Sequence, residues 1–294
     1  MTDPSTTSTD PSTDPSTDPY VEIAHHLPNE VRVGGALITL VEPHAGFERA
    51  YNRWYEDDHF YSGAMAGPWV FSGRRFVATR DLRSQRPTPR SPLAEPPDAG
   101  CYISLYWITA GHEEAAERWG FHAMADALTP HGRGFVERTH VYTAFHRFRG
   151  AFLRDAGPLR AETCLAHPFA GLTTDVIDAE SPEEFEALMH WLADGTVLGT
   201  LAGSDAAACL AFVPVPFSQG LIQGGAASAV AEPEEVGRRV CLLWFLDRDP
   251  REGFAADLEA LHAQLAESGL GELRFSAGFV PTVPGTDTYV SELR

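Results

Sequence analysis

The order of predicted strands and helices is the feature that most constrains the fold of this 294-residue chain. In the first half, runs of β-branched and aliphatic residues alternate with segments whose apolar residues recur at helical spacing. The predicted strands span residues 33–41, 69–79, 101–109 and 139–148. The predicted helices span residues 46–60 and 113–128. The resulting order is strand, helix, strand, strand, helix, strand.

The second half repeats this order. Ser181 and Pro182 suit the cap and the first turn of its first helix. A short segment at residues 289–293 is predicted to add an edge strand at the end of the chain. The predicted strands span residues 171–177, 207–215, 239–246 and 273–280, and the predicted helices span residues 182–198 and 250–268.

A twofold repeat of this kind has a consequence for packing. A single unit leaves one face of its sheet bare, on the side away from its helices. Two units can bury these faces against each other as a barrel with helices outside, which encloses a cavity where facing side chains are small or polar. The predicted fold class is therefore α+β, with two tandem ferredoxin-like repeats packed as a pseudo-dimeric α/β barrel.

Composition suggests three parts of the chain. Residues 1–19 repeat Ser, Thr, Asp and Pro and carry too little apolar surface to order themselves, so we expect a disordered tail. We expect the first ferredoxin-like half at residues 20–155 and the second at residues 156–294. A Pro- and Arg-rich loop at 84–98 and a Gly- and Ala-rich loop at 219–231 are predicted at equivalent places in the two halves.

Charge and composition exclude several partners and chemistries. The formal net charge of −19 would repel phosphates and anionic lipid, so we expect no nucleic acid and no membrane partner. All 22 basic residues are arginine, which excludes a Schiff-base lysine and a P-loop lysine. The sequence also lacks the glycine and serine motifs of dinucleotide dehydrogenases and α/β-hydrolases, and the histidine spacings typical of a metal site.

Other features indicate where the chain acts. It has no apolar run of about 18 residues, and its N-terminal stretch lacks the basic start and apolar core of a secretory leader. Its four cysteines have no C-x-x-C spacing and are expected as buried thiols in a reducing compartment. We expect a cytoplasmic monomer or homodimer that acts on a small-molecule substrate.

The best candidate site lies at the predicted end of the first helix. His59 follows three acidic residues there, and the helix dipole and these acids favour its charged form, so a raised pKa would suit proton transfer near neutral pH. Tyr55 could orient a substrate carbonyl, and Asp58 could hold the His59 ring in one tautomer. The alternative for His59 is a capping residue at the helix end, and the alternative for Asp58 is an ordinary surface carboxylate. Tyr51, one turn before Tyr55, is a candidate substrate-binding residue whose alternative is a core position.

Further candidate residues lie on the predicted strands. Arg74 and Arg75 alternate across one strand, so only one can point inward, where it would bind a carboxylate or enolate; the alternative is pairing with local acids. His140 and Tyr142 share a face of the fourth strand as candidate cavity lining. Trp107 is a candidate wall for an aromatic ligand or a core residue.

Residues 50–80 carry a family resemblance. The first half resembles the dimeric α/β-barrel superfamily and, more loosely, its EthD-like members, in which a first helix often ends in N-x-W-Y-x-x-x-H and the next strand carries R-R-F/Y. The second half lacks the helix-end histidine, so the resemblance implies one active centre, in the first half. The matching residues are Asn52, Trp54, Tyr55, His59, Arg74, Arg75 and Phe76.

Three hypotheses of function follow. The first is a cofactor-independent lyase, cyclase or isomerase of secondary metabolism, acting on an aromatic or polyketide-like molecule. In it His59 moves a proton, while Tyr55, Asp58 and an arginine position the substrate and stabilise an enolate. The second is a cofactor-free monooxygenase or a haem-binding barrel. The third is a non-catalytic ligand-binding protein.

Overall fold

A computed structural model of the protein describes Val21, residues 30–88, Ser91, residues 93–216 and residues 236–294, apart from the side chains of residues 254–257. The predicted tail at residues 1–19 and the whole loop predicted at residues 219–231 therefore lie outside the described residues. Residues Arg32–Arg294 form one compact unit.

Long runs of buried, β-branched and aromatic residues form the strands of a closed antiparallel barrel. The strands are β1 (Val33–Pro43), β2 (Val70–Val77), β3 (Tyr102–Thr109), β4 (Arg138–Leu153), β5 (Gly171–Asp178), β6 (Ala206–Pro214), β7 (Arg239–Leu246) and β8 (Glu272–Pro281). Their order around the barrel is β1-β3-β2-β8-β5-β7-β6-β4. Each half contributes four consecutive strands in the same internal order, β4-β1-β3-β2 and β8-β5-β7-β6. The predicted fold class, two ferredoxin-like repeats packed as a pseudo-dimeric barrel, is confirmed.

The two seams between the halves differ in length. Strand β4 pairs with β6 over seven residue pairs. Strand β2 pairs with β8 over only two, Phe76 with Pro281 and Val77 with Val280. The two strands therefore separate beyond this short contact, and the opening between them is where the candidate site lies.

Helices connect the strands. They are α1 (Glu48–Trp54, continued by π-helical Tyr55–Met65), α2 (Arg80–Ser84), α3 (Glu113–His122, continued by π-helical Ala123–Leu128), α4 (Pro182–Trp191), α5 (Val197–Ala202) and α6 (Phe254–Ser268). Residues Leu192–Thr196 join α4 to α5 through a kink at Asp194 and at Gly195, whose φ of 90° is a conformation that glycine tolerates. No helix among the described residues is long and apolar enough to cross a bilayer.

The core has two parts. Inside the barrel, Trp107 of β3 stacks on Phe212 of β6 with ring centroids 5.1 Å apart, so the interior joins side chains of both halves. Outside the barrel, the second half packs α4, α5 and α6 against its sheet through residues such as Leu188, Leu201 and Leu261. Burial of such aliphatic side chains supplies the main driving force for folding.

Two predicted elements are corrected. The first helix does not end near Phe60 but continues to Met65, because no proline interrupts it and Gly63 packs against the His59 ring. The segment at residues 289–293 is not an edge strand. It forms a 3₁₀ turn, Val290–Glu292, because Tyr289 has a left-handed backbone (φ 71°) and the buried Leu293 is anchored through its carbonyl oxygen to Arg83.

Candidate functional site

A cavity of about 540 Å³ lies in the opening between β2 and β8. Helix α1 covers one side, and the chain after β8 covers the other. Gly73 of β2 lines this space, and a Cβ atom there would meet Tyr106 and Met65 at 2.9 and 2.7 Å, so glycine lets these two side chains pack against the strand. The lining residues are Tyr55, Glu56, Asp57, Phe60, Tyr61, Gly73, Arg74, Arg75, Leu165, Ala166, Thr282, Pro284 and Gly285. The cavity, which we name the seam cavity, is of the size that binds small molecules.

Arg75 lies on the outer face of β2 beneath helix α1. Its guanidinium stacks over the rings of Tyr55 and Tyr102, with 4.2 and 4.6 Å from its central carbon to the ring centroids. It donates to Glu56 at 2.5 Å and to Asn52. Arg75 is only 3% exposed, and its charge is balanced by the Glu56 carboxylate. The predicted pairing with a local acid describes this arginine correctly.

Arg74 points to the other face of β2, as the alternation of the strand requires. Its Nη1 atom donates to the carbonyl oxygens of His167 and Leu165 at 2.5 and 3.4 Å, and its guanidinium lies over the ring of Phe76. Among the described residues it has no carboxylate partner. Burial lowers the pKa of Arg74. Both arginines line the seam cavity because it lies at the strand edge, where the two faces meet.

Tyr55 is buried at the inner end of the seam cavity. Its hydroxyl is hydrogen-bonded to the hydroxyl of Tyr106, and burial raises the pKa of Tyr55 despite the nearby Arg75. The phenol is therefore neutral and can donate a hydrogen bond. The helix turn that carries Tyr55 also places Phe60 and Tyr61 at the cavity as aromatic walls.

Glu56 connects helix α1 to the chain after β8. Besides Arg75, its carboxylate accepts from Arg53 at 3.2 Å and from the backbone N–H of Gly285 at 2.9 Å. Asp57 is exposed at the cavity and forms no ion pair with other described residues. Sequence reasoning did not assign roles to Glu56 and Asp57, although both directly follow Tyr55.

His59 does not line the seam cavity. Its ring stacks on Trp54, with centroids 4.2 Å apart, and its Nδ1 atom is buried without a hydrogen bond. Burial, together with the charges of Arg138 and His140, lowers the pKa of His59 to about 3. The expected raised pKa is therefore wrong, because the helix continues past His59 and buries the ring instead of ending there.

Asp58 does not hold the His59 ring. Its carboxylate accepts hydrogen bonds from Nε of Arg133 at 3.0 Å and from Nη2 of the same arginine. It also accepts a hydrogen bond from the hydroxyl of Ser62 at 3.1 Å. These contacts lower the pKa of Asp58, the hydrogen bond from Arg133 most of all. Asp58 therefore joins helix α1 to the segment before β4, and its predicted role as a partner of His59 is wrong.

Tyr51 and Trp107 are core residues. Tyr51 is 1% exposed and packs against Tyr102 and Trp54, with ring centroids 5.4 and 5.7 Å apart. Trp107 lies inside the barrel, and its indole N–H donates to the carbonyl oxygen of Ala161 at 3.1 Å. Neither residue lines the seam cavity.

His140 and Tyr142 do not share a face of β4. The pairing of β4 with β1 shifts between Leu40 and Val41, so Val141 is an extra residue in the ladder. Tyr142 therefore faces the barrel interior, where its hydroxyl bonds His146 Nε2 at 2.9 Å, whereas His140 faces helix α1 near His59. The predicted common face is wrong because of this bulge.

Comparisons with known proteins bear on the fold. Neither the protein-family models nor the curated proteins contain a match. Among solved structures, a candidate chlorite dismutase matches with a TM-score of 0.50 at 11% identity, over 88% of this chain and 98% of its own. A dye-decolorizing peroxidase from Bacteroides thetaiotaomicron matches with a TM-score of 0.50 at 8% identity, over 90% of this chain and 97% of its own. This likeness supports the dimeric α/β-barrel fold, while the EthD-like resemblance stays a prediction.

Proposed function

We propose that the chain is an enzyme that acts on a small organic anion, aromatic or polyketide-like, by proton transfer of the lyase, cyclase or isomerase type. The observation that carries this proposal is Arg74, a half-buried guanidinium at the seam cavity without a carboxylate partner among the described residues. A buried cation is costly unless an anion balances it, and a substrate carboxylate or enolate would do so.

The other lining residues suit the same substrate. Phe60 and Tyr61 offer aromatic surface to a planar ring. Tyr55, kept neutral by burial, can donate a hydrogen bond to an oxygen on which negative charge develops. Asp57 takes the place of His59 as the proposed proton acceptor, because its carboxylate is at the cavity and His59 is not. In this scheme a proton leaves a carbon beside the carbonyl for Asp57, and Arg74 holds the resulting enolate.

The alternative of a haem-binding barrel fits the described residues poorly. The lining of the seam cavity contains no His, Cys or Met, and its buried tyrosine is hydrogen-bonded to Tyr106. His262 lies at a second cavity of only about 110 Å³. Cofactor pockets are usually about 300 Å³ or larger, so a haem does not fit there.

Anion binding can be tested with benzoate and its neutral analogue benzamide by isothermal titration calorimetry. Because a charge-assisted pair is worth about 1.5–3 kcal/mol, Arg74→Gln is expected to weaken benzoate binding by about 10- to 100-fold. Benzamide binding should change little. Arg118→Gln, on an exposed position of α3, is the matched control. Equal benzoate affinity in both variants would contradict the proposal.

Proton transfer can be tested with phenylpyruvate in deuterium oxide. The protein is expected to accelerate exchange at the carbon beside the carbonyl, as followed by NMR, and Asp57→Asn is expected to remove most of this acceleration. Benzoate should inhibit the exchange competitively. If phenylpyruvate binds but its exchange is no faster than in buffer, the enzyme hypothesis is rejected and the hypothesis of a non-catalytic ligand-binding protein is favoured. Uptake of oxygen during the reaction would select the monooxygenase instead.

A further inference from the structure

A second cavity, of about 110 Å³, lies between the barrel and helix α6. Strands β5 and β8 form its floor, helix α6 one wall, and the segment after α2 its cover. The polar residues of its lining are Arg86, Thr173, Glu259, His262 and Ser276, with Gln85 at its exposed side. None of these residues belongs to the seam cavity.

His262 is held in place by a buried carboxylate. Its Nε2 atom lies 3.3 Å from one oxygen of Asp175, whose other oxygen accepts from the indole N–H of Trp244 at 3.0 Å. Asp175 is completely buried. Burial of His262 opposes its protonation, but the hydrogen bond and charge of Asp175 outweigh it, so the pKa of His262 is raised. This leaves Nδ1 of His262 without a hydrogen-bond partner among the described residues.

Arg86 is the other cation of this cavity. Its guanidinium donates to the carbonyl oxygens of Ala99 and Gly100 at 2.6 and 2.7 Å and lies over the ring of Phe275. These neutral partners fix its position without balancing its charge. In the described part of the chain Arg86 has no ion pair, and burial lowers its pKa to about 10.

Of the two cations at the cavity, only His262 has a direct carboxylate partner among the described residues. Asp175 balances His262, and the exposed Glu259 adds a weaker attraction that water screens. Arg86 is half-buried and forms no ion pair among the described residues, and the carboxylates of Glu42 and Asp98 act on its charge only from a distance. Ser276 adds a hydroxyl that makes no hydrogen bond to another described residue, although the residue is only 4% exposed. Groups of this kind, a guanidinium, an imidazole and a hydroxyl, together donate hydrogen bonds to an oxoanion.

We propose that this cavity is a second binding site, for a small singly charged oxoanion of the carboxylate or bicarbonate class. Its volume corresponds to about four water molecules at roughly 30 Å³ each, which admits formate, acetate or bicarbonate and excludes an aromatic acid. A doubly charged phosphate would exceed the single guanidinium charge that has no direct carboxylate partner among the described residues. The site is independent of the seam cavity, so it does not rest on the proposed function.

The test uses ¹³C-labelled formate and the full-length protein, with binding followed by NMR of the formate carbon and by calorimetry. We expect saturable binding that chloride and benzoate do not displace. His262→Gln and Ser276→Ala are each expected to weaken formate binding by about tenfold, as loss of a hydrogen bond to a charged group would. His122→Gln is the control, since His122 forms an exposed pair with Asp126.

The outcomes separate this proposal from the alternatives. Folding of the variants is checked by circular dichroism, and Ser276→Ala, which removes one hydroxyl, serves if His262→Gln does not fold. Formate binding that neither variant weakens, or that Arg74→Gln abolishes, would assign formate to another site and overturn the proposal. If inorganic phosphate binds as tightly as formate, the proposed preference for singly charged oxoanions is overturned.

Discussion

Three histidines, the buried His146 and the half-buried His59 and His140, are kept neutral by their surroundings. Burial is the main cause in each, and the pKa values fall from 6.5 to about 3, 4 and 3. At His59 and His140 the positive charge of Arg138 adds to the effect. The unfolded chain therefore binds more protons than the folded chain wherever the pH lies below about 6.5 and above these values.

This difference predicts a loss of stability in mild acid. As the pH falls below about 6.5, each of the three histidines is expected to lower the unfolding free energy by about 1.4 kcal/mol per pH unit. His262 opposes this trend in part, because its raised pKa stabilises the folded state on the acid side. The measurement is urea unfolding at about pH 7 and about pH 5.

The control for this prediction compares two substitutions. His146→Gln is expected to reduce the difference between the two unfolding free energies, because the buried imidazole is gone. His122→Gln should leave it unchanged, since His122 is exposed. An undiminished difference in His146→Gln would show that this histidine does not contribute to the acid sensitivity.

Helix α1 is the element that organises the first half. Its α-helical part buries Tyr51 against β3, and its π-helical part carries Tyr55 to the seam cavity and His59 to Trp54. π-helical turns are rare and occur often at functional sites. Gly63 lies against the His59 ring, because a Cβ atom at this position would be 2.6 Å from Nδ1. The glycine therefore makes room for the buried histidine.

A double-mutant cycle tests this contact. Gly63→Ala is expected to destabilise the protein by about 1–3 kcal/mol through overpacking. In a His59→Ala background the same change should instead stabilise it by up to about 1 kcal/mol, through the helix propensity of alanine. Chemical denaturation gives the four unfolding free energies.

Gly120 provides the matched control for this cycle. It lies in helix α3, and a Cβ atom there would meet no atom within 4 Å, so Gly120→Ala should stabilise the protein in either background. His59→Ala itself is expected to leave benzoate affinity nearly unchanged, because His59 does not line the seam cavity. Additive effects of Gly63→Ala and His59→Ala would refute the contact.

The whole molecule is a barrel closed by one long and one short seam. Strands β4 and β6 exchange ladder hydrogen bonds over seven residue pairs, whereas β2 and β8 do so over two. Backbone groups at the short seam have fewer partners across the two halves, so local opening there is expected to need less free energy. The proposed substrate would bind at this weaker seam.

Hydrogen exchange followed by mass spectrometry tests this difference. Peptides that contain the cavity-lining part of β2 are expected to exchange faster than peptides from the paired part of β4. Benzoate should slow exchange in β2 and leave β4 unchanged, since its binding stabilises only the closed seam. Equal protection of both seams without ligand would contradict the prediction.

Local patterns in the sequence determined the architecture of this protein. The alternation of strand-like and helix-like segments is a property of neighbouring residues, so the order of elements, their repetition and most of their bounds follow from it. The alternation along β2 likewise places Arg74 and Arg75 on opposite faces. Of the three residues predicted as catalytic, only Tyr55 lines the seam cavity, so the site itself stays a prediction.

Only the tertiary structure decided which side chains meet. The bulge at Val141 turned His140 and Tyr142 to different faces, and the continued helix buried His59 instead of leaving it at a helix end. Arg75 forms an ion pair with Glu56, whereas Arg74 has no carboxylate partner among the described residues. Such pairings join groups that are distant in the sequence, and their energies depend on burial and on the partners that the closed barrel brings near.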